Sequence, residues 1–411
     1  MRQGQADVRQ GPADVRQGPA GGRGLSPPFR RVVGVKIVAI GDAHLGRSAT
    51  TAVAPDGVNQ RERDFELSFE ASVTDALALS PDVFVWLGDV FDHPRPSYRS
   101  FRVVMAALSR IRAHGVPLVA ISGNHDTPRL PGAGNPYAVL ADAFPEFRFA
   151  YQMRYEAIDL PGVRIHAVPQ ARTAESAVEA LREAGRSRSA DRVNVLLTHP
   201  LVHSVERKYA DVNEIEVDDA ELQSDLVLLG HYHIHTTVRP GVWYAGSTDT
   251  FGFADDPGRP KGFLSVETES GKATHHGLGG QRILYTAPVI PAFGIGPAEL
   301  QSALAEAFAD APAGSVARIE VDGVDPDVYR LVDLHAIRDA AAHLLHINVT
   351  PRFGTVVAPV EDLPDLATLS ARWQSFVAGQ VLDDIDPEAV LRTGSDYLEK
   401  AIDRSLDQGS E

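Results

Sequence analysis

Cysteine is absent from the 411 residues, which excludes a disulfide framework, thiolate metal sites and a cysteine nucleophile, and fits a reducing compartment. Long apolar runs are also missing. No stretch approaches the roughly 18 consecutive apolar residues of a membrane span, and the first 30 residues lack the apolar core of a signal peptide. Basic residues are scarce, 39 Lys and Arg against 55 Asp and Glu, a net charge of -16. That balance argues against a broad basic surface, but half of the excess lies in residues 361–411, which carry twelve acidic and four basic side chains. The acidic total therefore does not exclude a phosphate-binding site elsewhere, because a metal cluster supplies local positive charge. What is present is a globular composition, 44% hydrophobic and 23% charged. The length exceeds one ordinary core and implies two domains, or one large domain with appendages.

Residues 2–22 repeat a seven-residue unit, RQGQADV, RQGPADV, RQGPAGG, rich in Gly and Pro and nearly devoid of apolar side chains. It cannot form a coiled coil, so residues 1–31 are expected to be disordered. Order is predicted from Val32, where VVGVKIVAI reads as a buried strand. A helix over Arg61 to Leu79, a strand Val83 to Leu87, a helix Ser97 to His114 and a strand Val116 to Ile121 complete a β-α-β-α-β run. Such alternation implies parallel strands with ligands gathered outside their carboxyl ends. Further strands are predicted at Val163 to Val168, Val193 to Thr198, Leu226 to Leu229 and Val242 to Ala245, with a helix over Ala174 to Ala184, so two sheets are expected. After Gly280 the pattern changes to a small α/β unit: helix Pro297 to Ala309, strand Val316 to Val321, helix Val328 to Ala342 and strand Leu344 to Val349. Two helical segments, Pro364 to Val381 and Pro387 to Leu406, close the chain.

Five short motifs end five of the strands: GDAH at Gly41 to His44, GDVFD at Gly88 to Asp92, GNHD at Gly123 to Asp126, THP at Thr198 to Pro200, and GHYH at Gly230 to His233. Any one of their histidines alone would read as a surface residue. Together they gather carboxylates, an amide and imidazoles, a nitrogen and oxygen donor set that suits manganese, iron or zinc. Residues two apart on an extended chain point the same way, so Asp42 with His44, and His231 with His233, would each grip one ion. Glycines before Asp42, Asp89, Asn124 and His231 would allow tight turns and close backbone approach.

In this order the motifs resemble those of the metallophosphoesterase (calcineurin-like) superfamily, over about Val35 to Phe263. The resemblance implies a two-sheet sandwich flanked by helices and two divalent metal ions, manganese foremost. It assigns Asp42, His44, bridging Asp89 and His233 to one ion, and Asp89, Asn124, His199 and His231 to the other. His125 would face the phosphate and protonate the leaving oxygen, with Asp126 behind it. Within the superfamily, GDAHLG, GNHDTPRL, YAGS at Tyr244 to Ser247 and KGF at Lys261 to Phe263 are similar to the SbcD-type DNA repair exonucleases. That likeness implies four segments: a tail (1–31), a nuclease domain (32–280), a DNA-binding cap (281–352) and a helical ATPase-binding tail (353–411). Some members carry a DNA-contacting His three residues after the bridging Asp, where this chain has Asp92, followed by His93.

Arg47, Arg95 and Arg129 lie just beyond motifs and are candidates for phosphate contact, as is His93. His203 and His235 flank motifs without a ligand role, and His275 and His276 are expected at the solvent surface. In the last helix Leu391, Leu398, Ile402 and Leu406 form an apolar stripe that would dock on a partner ATPase or on the chain's own core. The function implied is a cytoplasmic, nucleoid-associated, homodimeric nuclease acting with an SbcC-like ATPase on duplex DNA, as 3′ to 5′ exonuclease and endonuclease in double-strand break repair. The alternative is a phosphodiesterase for cyclic nucleotides or other small diesters. A non-catalytic scaffold would not need every candidate ligand and His125, and protein Ser/Thr phosphatases carry GNHE where this chain has GNHD.

Overall fold

Apolar runs such as Lys36–Ile40 and Val83–Leu87 become strands because both of their faces are covered. Ile37, Ala39, Val83, Val85 and Leu87 enter one apolar layer, while Val38, Ile40, Phe84 and Trp86 enter another on the opposite side. The computed structural model describes residues 34–130, 133–205, 214–253, 258–354, 366–378, 386 and 388–397. It divides into two compact units, 1–282 and 283–411.

The first unit runs β1 (Lys36–Ile40), α1 (Gln60–Ala78), β2 (Val83–Leu87), α2 (Tyr98–Ala113), β3 (Leu118–Ile121), α3 (Pro136–Ala143), β4 (Arg148–Ala150), β5 (Glu156–Leu160), β6 (Val163–Val168), α4 (Ala174–Arg186), β7 (Val193–Thr198), β8 (Leu201–Val202), β9 (Glu216–Val217), β10 (Leu226–Leu229), β11 (Thr236–Arg239), β12 (Val242–Tyr244), β13 (Gly262–Glu267) and β14 (Lys272–Gly277). One six-stranded sheet has the order β14-β13-β1-β2-β3-β4 and the other β11-β12-β10-β7-β6-β5. Strands β1 to β4 are mutually parallel, as are β6, β7, β10 and β12. The sheets pack face to face through Ile37, Val85, Ile121, Ile165, Leu197 and Leu228, and helices cover the outer faces. Helix starts follow local chemistry: the Asn59 side chain accepts from the Arg61 and Glu62 amides, and Ser97 and Thr173 cap α2 and α4. The expected two-sheet α/β sandwich flanked by helices is the observed architecture.

The second unit comprises β15 (Leu284–Thr286), β16 (Ile290–Pro291), α5 (Pro297–Ala309), β17 (Val316–Val324), α6 (Pro326–Arg330), α7 (Leu334–Ala340), β18 (His346–Phe353) and α8 (Leu366–Ala378), with 388–397 also helical. Its strands all pair parallel to β17, over a core that includes Leu300, Leu304, Phe308, Ile319 and Val321.

Several expectations need correction. The helix expected over Val328 to Ala342 is two helices, because the Asp333 carboxylate accepts from the His335 and Ala336 amides and caps a new start. The hairpin β13–β14 was not expected from KATHHG, whose polar residues suit an edge strand. His275 and His276 lie in that strand half-buried rather than at the surface: His275 stacks on His235 at 4.5 Å, and His276 stacks on Phe263 at 4.8 Å. Val32, the tail 1–31 and Leu398, Ile402 and Leu406 of the apolar stripe lie outside the described residues. Of that stripe only Leu391 is described, and its carbonyl accepts from Trp373 Nε1 at 3.3 Å.

Candidate metal centre

The five motif loops leave the carboxyl ends of β1, β2 and β3 in one sheet and of β7 and β10 in the other, so the sandwich brings them to one edge. The loops after β1 and β2 run side by side. The amide of Asp42 donates to Gly88 O at 3.1 Å, His44 to Asp89 O at 2.9 Å, and Leu45 to Val90 O at 2.9 Å. Asp42 and His44 do not lie on extended chain, as the Asp-x-His reading required. Their φ angles are 53° and 45°, with 50° at Asp89 and 85° at His231. A left-handed backbone at non-glycine residues is costly, and here it recurs at four candidate ligands, turning their side chains inward. Glycine is required by contact at Gly123, where a Cβ would strike the Asp89 carboxylate and the His199 ring, and at Gly88, where it would strike His199 and Gly123. Gly41 is different, since a Cβ there would meet nothing closer than 3.5 Å.

Two disjoint groups of donors emerge, joined by a third, His44, Asp89 and His125, that shares one member with each. Ligating atoms of Asp42, His44 and His233 lie within 4.8 Å of one another, and so do those of Asp89, His199 and His231. His44 Nε2 is 3.1 Å from His233 Nε2, and His199 Nε2 is 3.1 Å from Asp89 Oδ2. Asn124 Oδ1 sits between His199 Nε2 at 3.2 Å and His231 Nδ1 at 3.1 Å. Asp89 Oδ2 also lies 3.8 Å from His44 Nε2, between the two groups.

These residues fit divalent cations. His44 Nδ1 is 3.1 Å from Asp92 Oδ1, and His199 Nδ1 is 2.6 Å from Leu87 O, which fixes each ring so that Nε2 faces the cluster. Asp42 Oδ1 accepts the His231 amide at 2.8 Å, whereas Oδ2 is buried and finds no hydrogen-bond partner among the described residues. A buried carboxylate oxygen left so is expensive unless a cation meets it. Burial pushes the His44 imidazole down to about 4, keeping it neutral as a ligand must be. Burial opposes charge at Asp89 too, yet His199, with His44 and His125 beyond it, holds that carboxylate well below its ordinary range. His199 in turn is lifted against burial to about 9 by Asp89 and Asp42, so a bound cation would replace a proton there.

His125 stands beside both groups. Its amide donates to Asp89 Oδ1 at 2.8 Å, its Nδ1–H donates to the Asp92 carbonyl at 2.9 Å, and its ring meets His44 edge-on at 4.7 Å. Asp126 is not behind the His125 ring. It is fully buried and accepts from the Val90, Phe91 and Gly123 amides and from the Tyr137 hydroxyl, tying the second and third motif loops together. Burial and the Asp89 charge push it up to about 7. Asp92 reaches the centre through His44. Arg47 is engaged inside the wall of the site, donating to Phe251 O at 3.2 Å and lying 3.5 Å from Asp92 Oδ1, rather than extended for a phosphate. His93 and Arg129, together with Arg95, line a cavity of about 570 Å³ that Asn124 and His125 also line.

The structure also gives roles to residues whose function the sequence did not declare. Lys261 Nζ donates to His233 O at 2.7 Å and the Ser247 amide donates to it at 3.1 Å, so the KGF and YAGS motifs pin the His233 loop. Tyr244 accepts from the Val202 amide and donates to Pro200 O, holding the loop after His199.

Residues 35–235 match the calcineurin-like phosphoesterase family. Three curated relatives are DNA double-strand break repair proteins Mre11. That of Methanocaldococcus jannaschii is 31% identical over 26% of this chain and 27% of its own length. That of Haloferax volcanii is 29% identical over 56% and 49%, and that of Methanopyrus kandleri 27% identical over 58% and 55%. The chain thus spans about half, or less, of the curated relatives it matches. Among solved structures, a dimetal phosphatase from Danio rerio aligns with 57% of this chain and 92% of its own at 12% identity and a TM-score of 0.35, too distant to bear on function. No helix among the described residues is long and apolar enough to cross a membrane.

Proposed function

We propose that this chain, whose residues 35–235 form a calcineurin-like phosphoesterase domain, is a metal-dependent nuclease that hydrolyses DNA phosphodiesters in double-strand break repair. The observation that carries the reading is the Asp89 carboxylate lying between two histidine-rich donor groups, with His125 beside both. Asp42, His44, Asp89 and His233 would hold one ion, and Asp89, Asn124, His199 and His231 the other, with manganese the expected metal. Two such ions lower the pKa of a water nucleophile and stabilise the entering and leaving oxygens of an in-line displacement.

The protein's own part is positioning and proton delivery. His125, its Nδ1–H committed to the Asp92 carbonyl, would act in its imidazolium form, giving the second proton, on Nε2, to the departing alkoxide and leaving the neutral ring. The group that departs from a DNA diester is a sugar alkoxide, which leaves poorly unless it is protonated. The cavity bordered by His93, Arg95 and Arg129 suits a polyanionic strand beside His125. The Mre11 repair proteins among the relatives support DNA as the substrate. Residues 281–352 as a DNA-binding cap, 353–411 as the docking tail for an SbcC-like ATPase, and a homodimer complete the proposal.

The test is nucleotide release from end-labelled linear duplex DNA with Mn²⁺, Mg²⁺ or chelator, comparing the wild type with His125→Ala and using bis-p-nitrophenyl phosphate in parallel. Manganese-dependent degradation abolished by the substitution is expected. Cleavage of the small diester with DNA untouched, even after the ATPase is supplied, would favour a small-diester phosphodiesterase instead.

A further inference from the structure

Phe251 belongs to none of the five motifs and cannot ligate a metal, yet its ring touches the centre. The ring centroid lies 4.5 Å from that of His44 and 4.4 Å from that of His233, the two imidazoles whose Nε2 atoms face each other at 3.1 Å. It meets the His125 ring more loosely, at 6.3 Å. The phenyl ring is itself clamped. The Arg47 guanidinium carbon lies 3.3 Å from its centroid, and Arg47 Nε donates to the Phe251 carbonyl at 3.2 Å. The same guanidinium reaches within 3.5 Å of Asp92 Oδ1, the oxygen that holds His44 Nδ1. Contacts therefore run in a closed circuit from His44 through Asp92, Arg47 and Phe251 back to His44.

The backbone leading into Phe251 is fixed by buried charge. Arg61, 2% exposed, donates to Thr250 O at 2.7 Å and to Asp249 Oδ1 at 2.9 Å, and the Ser68 hydroxyl donates to the other Asp249 oxygen at 2.5 Å. Arg61 also pairs with Asp64 at 2.8 Å, and Asp64 receives two bonds from Arg282 at 2.7 Å. A buried ion pair is strongly destabilised when one partner is withdrawn, so this network holds the segment 249–251 in one register on α1.

We propose that Phe251 is a positioning residue of the metal centre, a wedge that sets the ring orientations of His44 and His233; this rests on the two-metal reading above. Metal ligands must be held to a fraction of an ångström, and packing locks a rotamer as effectively as a hydrogen bond does. A phenyl ring suits the task because it brings no donor or acceptor to compete for the imidazole nitrogens. It also keeps water from the fully buried His44.

Calorimetric titration of the full chain with Mn²⁺, for wild type, Phe251→Ala and Phe251→Leu, tests the proposal. The wild type should take up two ions. Phe251→Ala should bind one of them about ten- to a hundredfold more weakly, the usual effect of removing support from a ligating histidine. Phe251→Leu, which keeps bulk and fold but loses the flat face, should lose about three- to tenfold. With bis-p-nitrophenyl phosphate at saturating Mn²⁺, kcat should recover while KM stays at the wild-type value. Wild-type affinity for both ions in the Leu variant would overturn the role, as would a raised KM at saturating metal, which would mean that the ring contacts substrate. A wild type that takes up fewer than two ions would sink the metal-centre reading itself.

Discussion

Replacing Asp92 by Ala isolates the support given to one ligand. In the wild type the Asp92 carboxylate accepts from the Nδ1–H of His44, whose side chain is fully buried. Without it that N–H is left unpaired away from water, a cost of about 1–3 kcal/mol. The ring can relieve the cost by moving its proton to Nε2, the nitrogen that faces His233 and Asp89, and this blocks ligation. Either way an ion bound at Asp42, His44 and His233, as proposed, should bind about ten- to a hundredfold more weakly. The group of Asp89, His199 and His231 has its own anchor, the 2.6 Å bond from His199 to Leu87 O, and should keep its affinity. Two-site Mn²⁺ titration by calorimetry separates the two. Equal weakening of both sites would show that Asp92 acts through the charge of the whole cluster. No weakening at either would refute the idea that His44 depends on this carboxylate.

Three further outcomes follow from the geometry. His125→Ala should lower turnover of DNA by about a hundred- to ten-thousandfold while both Mn²⁺ ions still bind, and turnover of bis-p-nitrophenyl phosphate far less, because its nitrophenolate departs without a proton; loss of an ion would instead make His125 a ligand, the role its closeness to His44 and Asp89 would also permit. Gly123→Ala should abolish binding of at least one ion in metal-uptake measurements, because its methyl group would occupy space now held by the Asp89 carboxylate and the His199 ring. Mn²⁺ affinity should rise with pH up to about 9, because His199 carries a proton below that value and the ion must displace it, whereas His44, already neutral above about 4, adds no dependence in this range. The expected slope approaches about tenfold per pH unit, and titration in buffers of different ionisation enthalpy should show close to one proton released; a flat profile between pH 6.5 and 8.5 would contradict it.

The strands that carry the site were legible because burial on both faces writes an unbroken apolar run. Val83–Leu87, Val163–Val168, Val193–Thr198 and Leu226–Leu229 have the bounds expected of them. Edge strands such as β5, β11 and β14 carry polar residues, and their identity comes only from the neighbour they pair with. The helix expected over Val328 to Ala342 shows the limit of periodicity, since one carboxylate at Asp333 restarts the chain. The candidate ligands could be named one by one because each sits directly after a predicted strand. The support around them could not. Asp126 read as a partner of His125 and instead binds three amides and a tyrosine, and Arg47 read as a phosphate contact and instead clamps a phenyl ring.

The sequence by itself determined which residues can supply donors and that they gather at the carboxyl ends of parallel strands, because strand, turn and motif are written in consecutive residues. Only the tertiary structure decided which nitrogen His44 and His199 present, how their rings are held, and that Phe251 lies against His44 and His233. Those outcomes depend on side chains as far apart in the chain as His44 and His233, 189 residues, which meet through sheet order and loop packing. No local pattern records such a meeting, because the energy that favours it arises from burial and charge shared across the fold.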